Sequence, residues 1–228
     1  MKISTEFSKY AAHYGTYNII QNQVAAKLLQ NVTSKPRRIL DLGCGEGALC
    51  KKISWEYESF VGVDFAVNML SLHPKAENIE LLYGDFNDDT LFEKLGMYDF
   101  DMILSSSAMQ WSDDLDALFS KLHAMQTPFA ISLFTANTFK TLHATAGIEP
   151  LLRTSDQVVA LCEKYFKVNA EIVDYRLSFE SVRQMFRYIK KSGVSGSRKV
   201  LGFKETKQLM EEYPLDYLEF EVLFLTSR

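Results

Sequence analysis

Apolar residues along this chain keep two rhythms, and the balance between them shifts near residue 150. Before that point come the short apolar runs RRILDLG (37–43), SFVGVD (59–64), NIELLYGD (78–85), YDFDMILS (98–105) and PFAISLFT (128–135), bounded by Gly, Asp or Ser. Runs of this length between turn residues predict strands. The intervening segments repeat at three and four residues, as in DDLDALFSKLHAM, where Leu115, Leu118, Phe119 and Leu122 share one helical face. The first thirty residues show the same period through Ile20, Val24 and Leu28, predicting a helix capped by Ser4 and broken near Gly15. Strands alternating with helices predict a parallel, doubly wound α/β sheet. Right-handed crossovers then bring the strand C-termini to one edge, where ligands bind.

Beyond residue 150 the order becomes helix (TSDQVVALCEKY), strand (KVNAEIVDYRLSF), helix (SVRQMFRYIKKSG, stopped by Gly193), helix (KETKQLMEEY) and closing strand (DYLEFEVLFLTSR). Two late strands added to five give a seven-stranded sheet. No Pro- or Gly-rich linker interrupts the chain, so residues 1–228 are expected to form one domain. Within it we distinguish an N-terminal helical lid (1–34), a core (35–135) and a third part with helical insertions and closing strands (136–228).

Composition narrows the class. Hydrophobic residues make up 47% of the chain, with 16 Phe and 11 Tyr, enough for one large core. No apolar run is long enough to span a membrane, and MKISTEFSKYAAHY lacks the apolar centre of a secretion signal. Cys44, Cys50 and Cys162 are too scattered for a disulfide framework, and the 4 His have no metal-ligand spacing. The expectation is a cytoplasmic monomer without a metal. A net charge of −4 argues against nucleic-acid binding, but the charge is unevenly placed. From Arg183 to Lys207 stand 8 basic residues against one acid, Glu205. On a helical wheel Val182, Met185, Phe186 and Ile189 form an apolar face, and Arg183, Arg187, Lys190 and Lys191 the opposite one.

The sharpest local signal is ILDLGCGEG, which follows a strand and is expected to open a helix. Gly43, Gly45 and Gly47 remove the Cβ atoms that would block a ligand, and Asp64, ending the next strand, can bind both ribose hydroxyls. Such a loop serves a nicotinamide dinucleotide or S-adenosylmethionine. Asp41 and Glu46 flank the glycines, where a pyrophosphate would be repelled and a sulfonium and an ammonium attracted. The spacing is also G-x-G-x-G rather than the dinucleotide G-x-G-x-x-G. Both points favour the methyl donor. Cys44 inside the loop reads as a small, tolerated side chain.

With these residues the first 135 positions resemble a class I S-adenosylmethionine-dependent methyltransferase, a Rossmann-like fold. The resemblance implies that Asp41, Gly43 and Gly45 line the methionine moiety and that Asp64 takes the ribose. It places Phe65 and Met69 at the adenine, Asp85 at its amine, Phe86 among the donor-binding residues and Ser105 at the reaction centre. FSKYAAHYGTYNIIQNQVAAKLL, SSSAMQWSDDLDALFSKL and FRYIKKSGVSG with YPLDYLEFEVLF further resemble the malonyl-acyl-carrier-protein O-methyltransferases of biotin synthesis. Two departures stand out: Ser106, where that family often carries Asn, and MQTPFAI in place of a Pro-Gly-Gly turn.

The second resemblance implies transfer to the free carboxylate of a malonyl thioester, which is ionised at neutral pH and needs no general base. It would make Arg187 the orienting guanidinium, turned inward with Lys190. Tyr14 would close over the donor, with Gln21 capping the same site, and Tyr17, Gln110 and Trp111 would border the acceptor. Arg183, Lys191, Arg198 and Lys199 would form a docking rim for an acidic acyl carrier protein. His13 and His123 become candidate bases only for a hydroxyl acceptor. The competing readings are a phenol or fatty-acid methyltransferase, a nucleic-acid binder and a donor-binding subunit without activity. SSSAMQW lacks the N/D-P-P-Y/F segment of the DNA amino-methylating enzymes.

Overall fold

The computed structural model describes residues 18–192 and 201–227, with the side chains of 190–192 left aside. Tyr14, Tyr17, Gly193, Arg198 and Lys199, and the side chains of Lys190 and Lys191, therefore lie outside the described residues.

Seven strands form one sheet: β1 (Arg38–Leu42), β2 (Ser59–Asp64), β3 (Ile79–Tyr83), β4 (Met102–Ser106), β5 (Phe129–Phe134), β6 (Val168–Ser178) and β7 (Tyr217–Ser227). Their order is β3-β2-β1-β4-β5-β7-β6, with β7 antiparallel to both neighbours and the first five strands parallel. β1 has β2 on one side and β4 on the other, so the crossovers reverse direction there. The two sets of crossover loops part above β1 and β4 and leave a crevice at their C-terminal ends.

Strand alternation divides the core. Ile39, Phe60, Leu104 and Phe134 face the helices Ile19–Gln30, Val182–Ser192 and Phe203–Glu212, whose Ile20, Val24, Met185, Tyr188 and Leu209 cover them. Leu40, Leu42, Ile103, Ile131 and Leu133 face Leu115–Ala124 and Ser155–Cys162, meeting Leu118, Phe119, Leu122 and Val158. The predicted face of Leu115–Ala124 is the buried one, and Asp114 caps that helix by accepting from the Ala117 N–H. Thr154 and Gln157 close a reciprocal capping box on the next.

Three differences from expectation have simple causes. The glycine loop opens only the single turn Cys50–Lys52, because Gly47 sits at φ +85° and β2 begins only 7 residues after Lys52. β4 starts at Met102 rather than Tyr98, since the Asp101 carboxylate is drawn aside to accept from the backbone N–H groups of Arg37 and Arg38. Arg187 is exposed rather than turned inward. Met185 and Tyr188 fill the sheet-facing side of its helix, and Tyr188 meets Phe220 edge-on at 6.4 Å. The guanidinium one residue away is thereby directed outward, where it stays hydrated.

Candidate active site

The loops after β1, β2, β3 and β4, together with the start of helix Ile19–Gln30, surround a crevice. Its floor is the glycine loop, tied to the end of β2: the N–H groups of Gly43 and Cys44 donate to the Val63 carbonyl at 2.8 and 3.0 Å. Gly43 has φ +77°, and a Cβ there would lie 2.3 Å from the Ala108 Cβ. The post-β4 turn therefore packs directly on the loop, a fit open only to glycine.

Asp64 is buried at the crevice wall, one oxygen accepting from the Gly45 N–H at 2.9 Å and the other from the Ala66 N–H at 2.8 Å. Its side chain is thus held in one orientation, with lone pairs to spare. Burial pushes its carboxyl above the usual range, and the two N–H donors oppose that shift. Asp41 lies deeper, 1% exposed, and neither of its oxygens has a partner among the described residues. Burial first and the neighbouring Asp64 charge second push its carboxyl well above the ordinary range.

Of the residues expected at the donor, Gln21, Gly43, Gly45, Asp64, Phe65, Met69 and Phe86 line the crevice, and Trp111 from the expected acceptor set joins them. Asp41 lies behind the loop rather than in the crevice lining, and three further expected residues sit elsewhere. The Ser105 hydroxyl is fully buried and donates to the Leu42 carbonyl at 2.7 Å; its neighbours Ser106 and Ser107 line the crevice instead. Strand alternation puts Ser105 on the sheet face away from helix Ile19–Gln30, and Ser106 toward it. Asp85 is exposed, with one oxygen accepting from the backbone and side-chain N–H groups of Asn87 in a local turn. Gln110 donates from its amide to the Ser107 carbonyl at 2.7 Å and braces the turn rather than lining the space.

Asn18 and Glu46 were not anticipated as a pair. The Asn18 side-chain amide donates to the Glu46 carboxylate at 2.7 Å and accepts from the Asn22 amide at 2.8 Å, joining the helix start to the glycine loop. The spacing of Asn18 and Gln21, one helical turn, was a usable signal for the first of them; nothing local pointed to its partner. With Glu46 and Asp64 in the wall and, among the described lining residues, no Lys or Arg, the crevice favours a cationic ligand.

A methyltransferase-domain family model matches residues 39–128, the span from β1 to the start of β5. The malonyl-[acyl-carrier protein] O-methyltransferase of Bacillus cytotoxicus is 27% identical across 86% of this chain and 76% of its own. Its counterpart in Acetivibrio thermocellus is 25% identical across 99% of this chain and 93% of its own. The chain carries a methyltransferase domain and is similar to S-adenosylmethionine-dependent methyltransferases. In fold the methyltransferase also matches Haemonchus contortus phosphoethanolamine N-methyltransferase 2, solved with S-adenosyl-L-methionine, at a TM-score of 0.58. That likeness spans 97% of this chain and 57% of that one at 15% identity. The residues present suit the donor: glycines clear a cradle, Asp64 is aimed and restrained, and the unpartnered Asp41 carboxylate lies behind the loop.

The high carboxyl pKa of Asp41 gives the methyltransferase a pH signature. Below the unfolded carboxyl value of about 4, Asp41 is protonated in both states and burying it carries no charge penalty. As pH rises toward its raised folded value, only the unfolded chain has released the proton, so stability falls through that window. Affinity for the cationic donor runs the other way, because ionised Asp41 attracts it. Calorimetry of donor binding in buffers of different ionisation enthalpy is expected to show proton release on binding and affinity rising with pH. Asp41→Asn is expected to flatten both trends.

Proposed function

We propose that the methyltransferase esterifies the free carboxylate of a malonyl thioester carried on acyl carrier protein, giving the methyl ester used in biotin synthesis. The observation that carries this reading is the extent of the likeness. Relatives with that name align over 86% and 99% of the chain, well beyond the 39–128 segment of the general methyltransferase domain.

The chemistry is consistent with the site. A malonyl carboxylate is ionised near neutral pH and is already the nucleophile. Held by the glycine loop and Asp64, S-adenosylmethionine would supply an electrophilic methyl carbon whose leaving group is the neutral thioether sulfur. No proton has to move, so the chain's contribution is to orient the acceptor and exclude water. Trp111, Phe65, Phe86 and Met69 supply apolar wall for that purpose. Cys44 also lines the crevice, but burial first and the Asp41 charge second push its thiol well up, so it remains a protonated packing group.

The carrier protein is proposed to dock on the basic face of helix Val182–Ser192, where Arg183 and Arg187 are exposed, with Lys191, Arg198 and Lys199 as further candidates that lie outside the described residues. Tyr17 and Lys190 remain candidates for the acceptor side in this reading, and Tyr14 for closing over the donor. One labelled-donor assay addresses both parts, with malonyl-carrier protein, malonyl-coenzyme A, a phenol and a fatty acid as acceptors. Methylation of both malonyl thioesters is expected; turnover of the phenol or fatty acid alone overturns the reading. Arg183→Glu with Arg187→Glu is expected to raise KM for malonyl-carrier protein about tenfold and to leave malonyl-coenzyme A nearly unchanged. Equal damage to both substrates refutes the docking face.

A further inference from the structure

Three consecutive serines end β4, and their hydroxyls have different fates. Ser105 donates to the Leu42 carbonyl at 2.7 Å, and Ser106 accepts from the Ser132 hydroxyl at 3.3 Å. Ser107 lines the crevice, and its hydroxyl is shielded from bulk solvent with no partner among the described residues. Such a group costs stability unless a ligand satisfies it.

Its backbone is unusual as well. Ser107 has φ +58°, a left-handed conformation that a non-glycine residue adopts rarely and at some cost. Both flanking polar groups hold it there: its N–H donates to the Ser132 carbonyl at 2.9 Å, and its carbonyl accepts from the Gln110 amide at 2.7 Å. The next residue, Ala108, rests on Gly43 of the donor loop. The Ser107 backbone is thus fixed in the crevice wall beside the donor loop, and Trp111 lies in the same wall.

We infer that the Ser107 hydroxyl donates a hydrogen bond to the acceptor carboxylate and sets which oxygen faces the methyl carbon. A neutral donor suits this step. The acceptor's negative charge and the donor's positive charge cancel as the new bond forms, so a guanidinium in contact would stabilise the reactants more than the transition state. A hydroxyl orients the anion with a smaller penalty of that kind, and Arg187 stands exposed on another helix. One carboxylate oxygen held by Ser107 leaves the other free to attack in line.

This inference rests on the carboxylate reading of the acceptor, and the test separates the two. Wild type, Ser107→Ala and Ser107→Gly are compared for kcat and KM with malonyl-carrier protein, for S-adenosylhomocysteine affinity by calorimetry, and for thermal midpoint. Alanine removes the hydroxyl and keeps the strained φ, whereas glycine removes both. Both variants are expected to lose about 10- to 100-fold in kcat/KM, with S-adenosylhomocysteine affinity within about twofold and the glycine variant at least as stable as wild type. Three results overturn the role: unchanged turnover in either variant, activity kept by glycine but lost by alanine, or a parallel fall in S-adenosylhomocysteine affinity. A wild type that methylates no malonyl thioester overturns the substrate reading and this inference together.

Discussion

Asp64→Asn is expected to weaken S-adenosylhomocysteine binding by about 100-fold or more and to reduce methyl transfer at least as far. The carboxylate accepts from two backbone N–H groups, Gly45 at 2.9 Å and Ala66 at 2.8 Å, and those bonds fix the oxygens that face the crevice. An amide has one oxygen. Its NH2 would have to face one of the two N–H donors, so either the glycine loop or the start of the next turn loses its tie. The amide also cannot accept from both ribose hydroxyls with the strength of a charged group, and each charge-assisted bond contributes about 1.5–3 kcal/mol. The loop has other anchors, in the Gly43 and Cys44 bonds to Val63, so the fold is expected to survive. Calorimetric titration with S-adenosylhomocysteine alongside a thermal melt measures both quantities. Affinity within about threefold of wild type would remove Asp64 from the donor site.

Gly43→Ala is the second large effect, and it acts on stability and activity together. At φ +77° the new Cβ would sit 2.3 Å from the Ala108 Cβ, far inside carbon–carbon contact distance. Left-handed backbone costs an alanine about 1 kcal/mol, and overpacking of this kind about 1–3 kcal/mol more. For a domain of this size the sum corresponds to a thermal midpoint lower by roughly 5–15 °C. The post-β4 turn would be displaced from the crevice floor, and methyl transfer is expected to fall by about two orders of magnitude or more. Adding Ala108→Gly removes the colliding atom while leaving the backbone penalty. The double variant is therefore expected to regain part of the midpoint and part of the activity, a coupling that distant sites do not show. A double variant no better than Gly43→Ala would mean that the two loops do not meet as described.

How much of this was legible beforehand depended on whether the cause was local. The face formed by Leu115, Leu118, Phe119 and Leu122 and the existence of the five early strands follow from neighbours a few residues apart, and both are found, with β4 starting at Met102 rather than Tyr98. The glycine loop was legible because its chemistry is compressed into five residues. The serines after β4 show the limit. Alternation says that Ser105 and Ser106 point to opposite faces, but not which face the crevice occupies; that depends on where helix Ile19–Gln30 packs. Arg187 was misplaced for a similar reason. The wheel set buried Met185 apart from exposed Arg183 and Arg187 yet did not count Tyr188 as a core residue, and its ring against Phe220 settles the rotation of the helix.

By itself the sequence determined the α/β alternation, the donor-binding glycines and the acidic character around them, because each arises from side chains whose neighbours in space are neighbours in the chain. Only the tertiary structure decided that β7 inserts antiparallel between β5 and β6, and that Asn18 reaches Glu46 across 28 positions. It also decided that Ser107, rather than Ser105, lines the crevice. These outcomes depend on which distant faces bury together, and no local pattern carries that information.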